Sequence, residues 1–161
     1  HPTYIERSKT LLGHHCPLAT ALDLHNALHT RERKGSPYFE EAFALARNFP
    51  SVRPVFHCFI GTQQQAERIF SELDGMISFT GLITFRKTEA VQAVAAWCPA
   101  DRFMLETDSP FLSPEPMRGQ TNIPGRTRYV AEKVAALRGC TLEEIAELTT
   151  ANARRFFRLP L

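Results

Sequence analysis

FMLETDSP, residues 103–110, runs three apolar residues into Glu106, Thr107 and Asp108 and stops at Pro110. Phe103 to Leu105 is short and apolar enough for a buried strand, and the proline ends it. In parallel α/β sheets the functional groups gather where strands end and loops begin. A carboxylate delivered there, here Asp108, can hold a divalent cation or a proton. The same aspartate would also serve as a turn cap ahead of Ser109-Pro110.

Upstream of this stretch, strand and helix patterns alternate. Ser36 reads as a helix cap with Pro37 at the first helical position, and Tyr38, Phe39, Ala42, Phe43 and Ala46 follow at helical spacing. Arg53 to Phe59 (RPVFHCF) reads as a buried strand. Thr62 with Gln65 forms a capping box for a helix carrying Ala66, Ile69, Phe70 and Leu73 and ending at Gly75. Met76 to Phe79 is a short strand. Thr88 to Trp97 is a helix with Val91, Val94 and Ala95 on one face. This order, with short links, predicts a parallel sheet with helices packed outside it.

Downstream, Ser109 to Gly125 is a long proline-rich loop, and such loops are more often functional than idle. Two or three helices are expected after it. One carries Val130, Val134 and Leu137 and stops at Gly139. The next is capped by Thr141 and Glu144 and carries Leu142, Ile145 and Leu148. A last one runs through Ala153, Phe156 and Phe157. At the other end, residues 1–26 show no clean period. Leu18 to Leu28 is apolar enough for a helix or a strand, and Glu32 to Gly35 reads as a charged turn.

The chain has 161 residues, 43% of them hydrophobic and 22% charged, with a net charge of +2. That is enough for one domain with a real core, and it sets up no strong field for a polyanion. Cys16, Cys58, Cys98 and Cys140 are scattered and form no CxxC pair, which suits reduced thiols and a cytoplasmic location. No apolar run approaches a membrane span. The chain opens on His1 and not on Met, so it is expected to be part of a longer gene product.

His57 sits near the end of its strand, facing either the sheet interior or the helix layer according to register. If it shares a sheet end with Asp108, next-but-one strands separate the two by roughly 10 Å. That is too far for direct contact but suited to gripping opposite sides of a metal or of a metal-bound phosphate. A packed, hydrogen-bonded histidine is the alternative. His25 and His29, four apart, would share a helix face as an HxxxH pair. Without an intervening Glu that is a weak metal signal. With His14 and His15 they read as surface or packing histidines, His29 excepted, because it could end a strand. Arg118 and Asn122 flank Gly119 in the loop. An arginine there is a natural phosphate clamp or simply a solvated side chain. Arg126 and Arg128 read as the exposed start of a helix, and Arg154 and Arg155 as a solvated helix face.

Taken together, VFHCFIG (Val55 to Gly61), GMISFTGLITFRK (Gly75 to Lys87), DRFMLETDSPFL (Asp101 to Leu112), RGQTNIP (Arg118 to Pro124) and the helical end to Phe157 resemble the C-terminal half of the TatD family. The match is continuous from about Val55 to Phe157. The family contains metal-dependent hydrolases, mostly deoxyribonucleases, built on a TIM barrel. The resemblance implies an α/β fold of TIM-barrel type, here an incomplete, C-terminal half of the barrel. Residues 1–161 would form one domain, with 1–35 a poorly defined lead-in and 36–161 the clear match. It implies His57 and Asp108 as metal ligands, and His29 as a third, because ALHTRE (Ala27 to Glu32) looks like the family's motif of a histidine followed two residues on by arginine. Asp108 would also act catalytically on the attacking water. Arg31, Arg118 and Asn122 would contact substrate. The implied cofactor is a divalent ion, Mg, Mn or Zn, at one or two sites, and the implied substrate is DNA.

The departures from the family pattern are specific. The N-terminal His-x-His pair and the acidic ligand of a middle strand are absent. The loop has Asn122-Ile123-Pro124 where Asn-Glu-Pro is usual, and Ile60 stands where a serine is usual. Three ligands would hold one metal, more weakly than two shared ions. An amidohydrolase-like enzyme acting on an ester or amide, or a non-catalytic remnant, are the competing readings. A complete barrel needs ~200 residues or more. Half a barrel leaves strand edges unpaired, so the isolated chain is expected to be unstable, to self-associate, or to represent part of a longer protein.

Overall fold

The computed structural model describes residues 2–30 and 38–160. Arg31, the Glu32 to Gly35 turn and the Ser36-Pro37 cap lie outside the described residues.

Four short strands form one parallel sheet: β1 (Asn26–His29), β2 (Pro54–His57), β3 (Met76–Phe79) and β4 (Phe103–Leu105). Their spatial order is β1-β2-β3-β4. Each crossover therefore adds the next strand to the same edge. A doubly wound sheet reverses its order at a switch point, whereas a βα barrel does not. The fold is α/β and of TIM-barrel type. Among the described residues no strand pairs with the outer side of β1.

Helices α2 (Tyr38–Ala46), α3 (Gln63–Leu73) and α4 (Glu89–Trp97) make the crossovers, preceded by α1 (Pro2–Ala21) and followed by α5 (Thr127–Arg138) and α6 (Leu142–Phe157). The period-two alternation of the strands sorts their side chains. Leu28, Phe56, Ile77, Phe79 and Phe103 join the helix residues Phe39, Phe43, Ile69, Val94, Val130 and Val134 in the main core. Val55, Met76 and Met104 face the other way and are covered by Phe156 from α6. Asn152, one turn before Phe156, donates through Nδ2 to the Ala100 and Phe103 carbonyls and ties α6 to the start of β4. Among the described residues no helix is long and apolar enough to cross a membrane. All four cysteines are described, and none forms a disulfide.

Both capping boxes are present. Thr62 Oγ1 accepts from Gln65 N and Gln65 Oε1 from Thr62 N, and the same reciprocal pair joins Thr141 and Glu144. Gly139 has φ +66° and ends α5 as expected.

The structure differs from the sequence reading in four places. The apolar run Leu18 to Leu28 is neither one helix nor one strand. Its first part finishes α1, Asp23 turns left-handed at φ +53°, Leu24 N–H closes onto Ala19 O, and β1 follows. His25 and His29 therefore share no helix face. The RPVFHCF strand is shorter than its apolar run, because Cys58 at φ +49° turns the chain out of the ladder. The last two helical patterns are one continuous helix, α6, since no glycine or proline interrupts residues 148–153. Arg126 is not on an exposed face. It is half-buried and holds Ser113 Oγ, the Thr121 carbonyl and Gln120 Oε1 within the long loop.

Candidate metal centre

Parallel pairing aligns His29 with His57 and Ser78 with Met104. His29, His57 and Ser78, with Glu106 and Asp108 just past β4, consequently collect at the C-terminal end of the sheet, on the side away from the helix core. This is the end where βα loops begin.

His57 is gripped at both ring nitrogens. Nδ1 meets Glu106 Oε2, and Nε2 lies 3.3 Å from Asp108 Oδ1. The expected separation of roughly 10 Å between strands therefore does not keep the side chains apart. Asp108 sits beyond the end of β4, where a left-handed turn at φ +57° brings its carboxylate back across β3. Left-handed conformations at non-glycine residues gather at functional sites.

Glu106 carries the most connections. Its Oε1 accepts from the Cys58 N–H at 2.8 Å and from the Ser78 hydroxyl, while Oε2 takes His57. Burial works to raise its pKa, but the donors from His57, Ser78 and Cys58 overcome that and hold the carboxyl below its ordinary range. The hydrogen bond to Glu106 raises the His57 pKa, against burial and with the Asp108 charge adding to the effect. The result is an imidazole whose tautomer and orientation are set by a carboxylate behind it, an arrangement common in metal sites.

His29 stands beside this pair. Its ring centroid is 5.3 Å from that of His57, and the residue is exposed. It lines a cleft of about 690 Å³ together with Asp108, Phe111, Phe85 and Arg118. Arg118 is exposed, with its guanidinium carbon 4.2 Å over the Phe85 ring. The structure thus brings His29, His57, Asp108 and Arg118 to one mouth. Asn122 is buried behind it. Its Nδ2 donates to the Thr107 and Phe111 carbonyls at 2.8 Å each, and its Oδ1 accepts from Ile123 N. Its side chain holds the loop. Among the described residues no three His, Cys, Asp or Glu side chains converge closely enough to form a complete cage for an ion.

The donor spacing nevertheless suits a metal. Two ligand atoms about 2.1 Å from a tetrahedral ion stand ~3.4 Å apart, close to the 3.3 Å between His57 Nε2 and Asp108 Oδ1.

Residues 1–158 match the family of TatD related DNases. The chain belongs to that family. Among its relatives is the uncharacterized metal-dependent hydrolase YcfH of Escherichia coli K12, 36% identical over 91% of this chain and 54% of that protein. YabD of Bacillus subtilis, also named an uncharacterized metal-dependent hydrolase, is 41% identical over 68% of this chain and 42% of its own length. Of solved structures, the Escherichia coli TatD homologue YJJV superposes with a TM-score of 0.86 at 30% identity, covering 96% of this chain and 58% of its own. This TatD-family chain spans about half the length of the curated relatives it matches.

Sequence reasoning missed Glu106 as a site residue, along with Ser78 behind it. A signal existed: residues 104, 106 and 108 share the parity that puts alternate strand residues on one face. No local signal marks Ser78, which reaches the site only through the pairing of β3 with β4.

Proposed function

We propose that this TatD-family chain belongs to a hydrolase that cuts DNA phosphodiesters with water activated by a divalent metal ion. The His57 Nε2–Asp108 Oδ1 approach at the C-terminal end of a parallel sheet carries the reading. His57 and Asp108, with His29 beside them, would hold the ion, of the Mg, Mn or Zn class. The bound ion supplies a nucleophile at neutral pH and neutralises charge on the phosphate. Glu106 keeps His57 oriented, and Arg118, projecting into the same cleft, would meet a phosphate oxygen. Arg31 is assigned to substrate through the resemblance alone. Asn122 acts on substrate only through the loop it holds.

The test is degradation of DNA by the purified chain with added Mn, Mg or Zn, with and without EDTA, and for Asp108→Ala. The reading expects activity that EDTA abolishes and that the variant loses by at least about a hundredfold, since a metal's charge stabilisation is worth several kcal/mol. Degradation indifferent to both would end it. Turnover of small esters in place of DNA would transfer the site to the amidohydrolase-like reading.

A further inference from the structure

Phe111 is 67% exposed, the most exposed large apolar side chain among the described residues. Its backbone, by contrast, is fixed from several directions. Phe111 N–H donates to Asp108 O at 2.8 Å, and the Phe111 carbonyl accepts from Asn122 Nδ2 at 2.8 Å. Asn122 N–H in turn holds the Pro110 carbonyl at 3.0 Å. The next residue, Leu112, lies so close to the turn after β3 that a Cβ on Gly81 would stand 2.0 Å from its carbonyl oxygen. A loop pinned this firmly has no need of an aromatic ring in water, yet it presents one at the rim of the cleft that holds Asp108 and His29. In the same cleft the Arg118 guanidinium lies over Phe85. The cleft therefore offers an aromatic face, a cation and the candidate metal ligands together. A ligand that is both anionic and flat fits that combination: a phosphate bearing a nucleobase. Stacking on an aromatic side chain accepts any base, because every base has a π-face.

We infer that Phe111 is a specificity-determining residue that stacks a nucleobase beside the scissile phosphate and so selects nucleotide esters over other phosphoesters. This rests on the phosphodiesterase reading above.

The probe is fluorescence anisotropy of the full chain in EDTA with two labelled strands, a short oligothymidylate and an abasic deoxyribose-phosphate strand of equal length. Wild type is expected to prefer the base-bearing strand. Phe111→Ala should weaken that strand roughly tenfold, the loss of one stacked base, and leave the abasic strand unchanged. Phe111→Trp should restore the preference, and Arg118→Ala should weaken both strands alike. Because the ring is exposed, Phe111→Ala should melt with the wild type. Equal wild-type affinity for the two strands, no binding of either, or equal loss of both in Phe111→Ala would overturn the inference. The phosphodiesterase reading is judged separately by the EDTA-sensitive degradation of DNA, which Phe111→Ala should retain at saturating DNA with a raised KM.

Discussion

His57 Nε2 and Asp108 Oδ1 stand 3.3 Å apart although His57 ends β2 and Asp108 follows β4, with β3 between the two strands. Two features close that gap. His57 ends β2 with its ring on the face away from the helices, and Asp108 follows β4 on a left-handed turn that returns its carboxylate over the strand between. Glu106 then fixes the ring from behind, so protein contacts alone hold the pair in place.

Glu106 should therefore matter to metal binding without touching the metal. Glu106→Gln keeps the shape and removes the charge. We expect metal affinity to drop by about 10–100-fold, the usual cost of losing a partner behind a ligating histidine. Competition against a coloured chelator measures it. Unchanged affinity would reduce Glu106 to a packing role.

Protons should compete with metal at His57. Its pKa is raised, chiefly by the hydrogen bond to Glu106, and a ligating imidazole must be unprotonated. Metal affinity is expected to fall steadily from pH 8 to pH 6. Without metal the sign reverses: stability from the protonated pair is present below the ordinary value of about 6.5 and is lost as pH rises through the folded value. Calorimetric titration at several pH values reads the first effect. A pH-independent affinity would contradict it.

His25 should respond oppositely. Burial chiefly lowers its pKa, with the Arg158 and Arg53 charges assisting and Asp23 and Asp74 opposing. Its ring lies 5.0 Å from that of Phe156, and Nδ1 accepts from the Arg53 N–H at 3.3 Å. Stability from this neutral ring is present above about 6.5 and is lost as pH falls through the folded value. The urea midpoint is expected to decline from pH 7 to pH 5 more steeply in wild type than in His25→Asn. Parallel declines would rule His25 out as the cause.

Phe103 is fully buried, 5.8 Å from the Phe79 ring and under the Arg138 guanidinium. Phe103→Ala should cost about 3–5 kcal/mol by opening a cavity in the main core. Urea unfolding checks this, and a loss below about 1 kcal/mol would mean that the core collapses to fill the space.

The outer side of β1 carries no strand among the described residues, and two of the four residues of β1, Ala27 and His29, are exposed. Open parallel edges invite pairing. We expect the isolated chain to show concentration-dependent association in sedimentation velocity. A clean monomer with a cooperative melt would show that the edge is protected.

The alternation of strands and helices was readable because each element carries its own periodicity and its own stop signal. The two capping boxes and Gly139 mark helix ends from side-chain chemistry that acts within four residues. The motifs around His57 and Asp108 marked both residues, and ALHTRE marked His29. The break between α1 and β1 was less legible, because Leu18 to Leu28 is apolar throughout and only a left-handed Asp23 divides it.

What the sequence alone determined was the order of the elements and the ends of most helices, and it marked His29, His57 and Asp108 as candidate ligands, since these readings depend on residues near one another in the chain. Only the tertiary structure decided that Asp108 reaches His57 directly, that Glu106 and Ser78 stand behind it, that Asn122 is spent on the loop and that Phe111 is left facing the cleft. Those outcomes depend on strand register and on a backbone turn after β4, and such long-range pairings leave no periodic trace in the residues that make them.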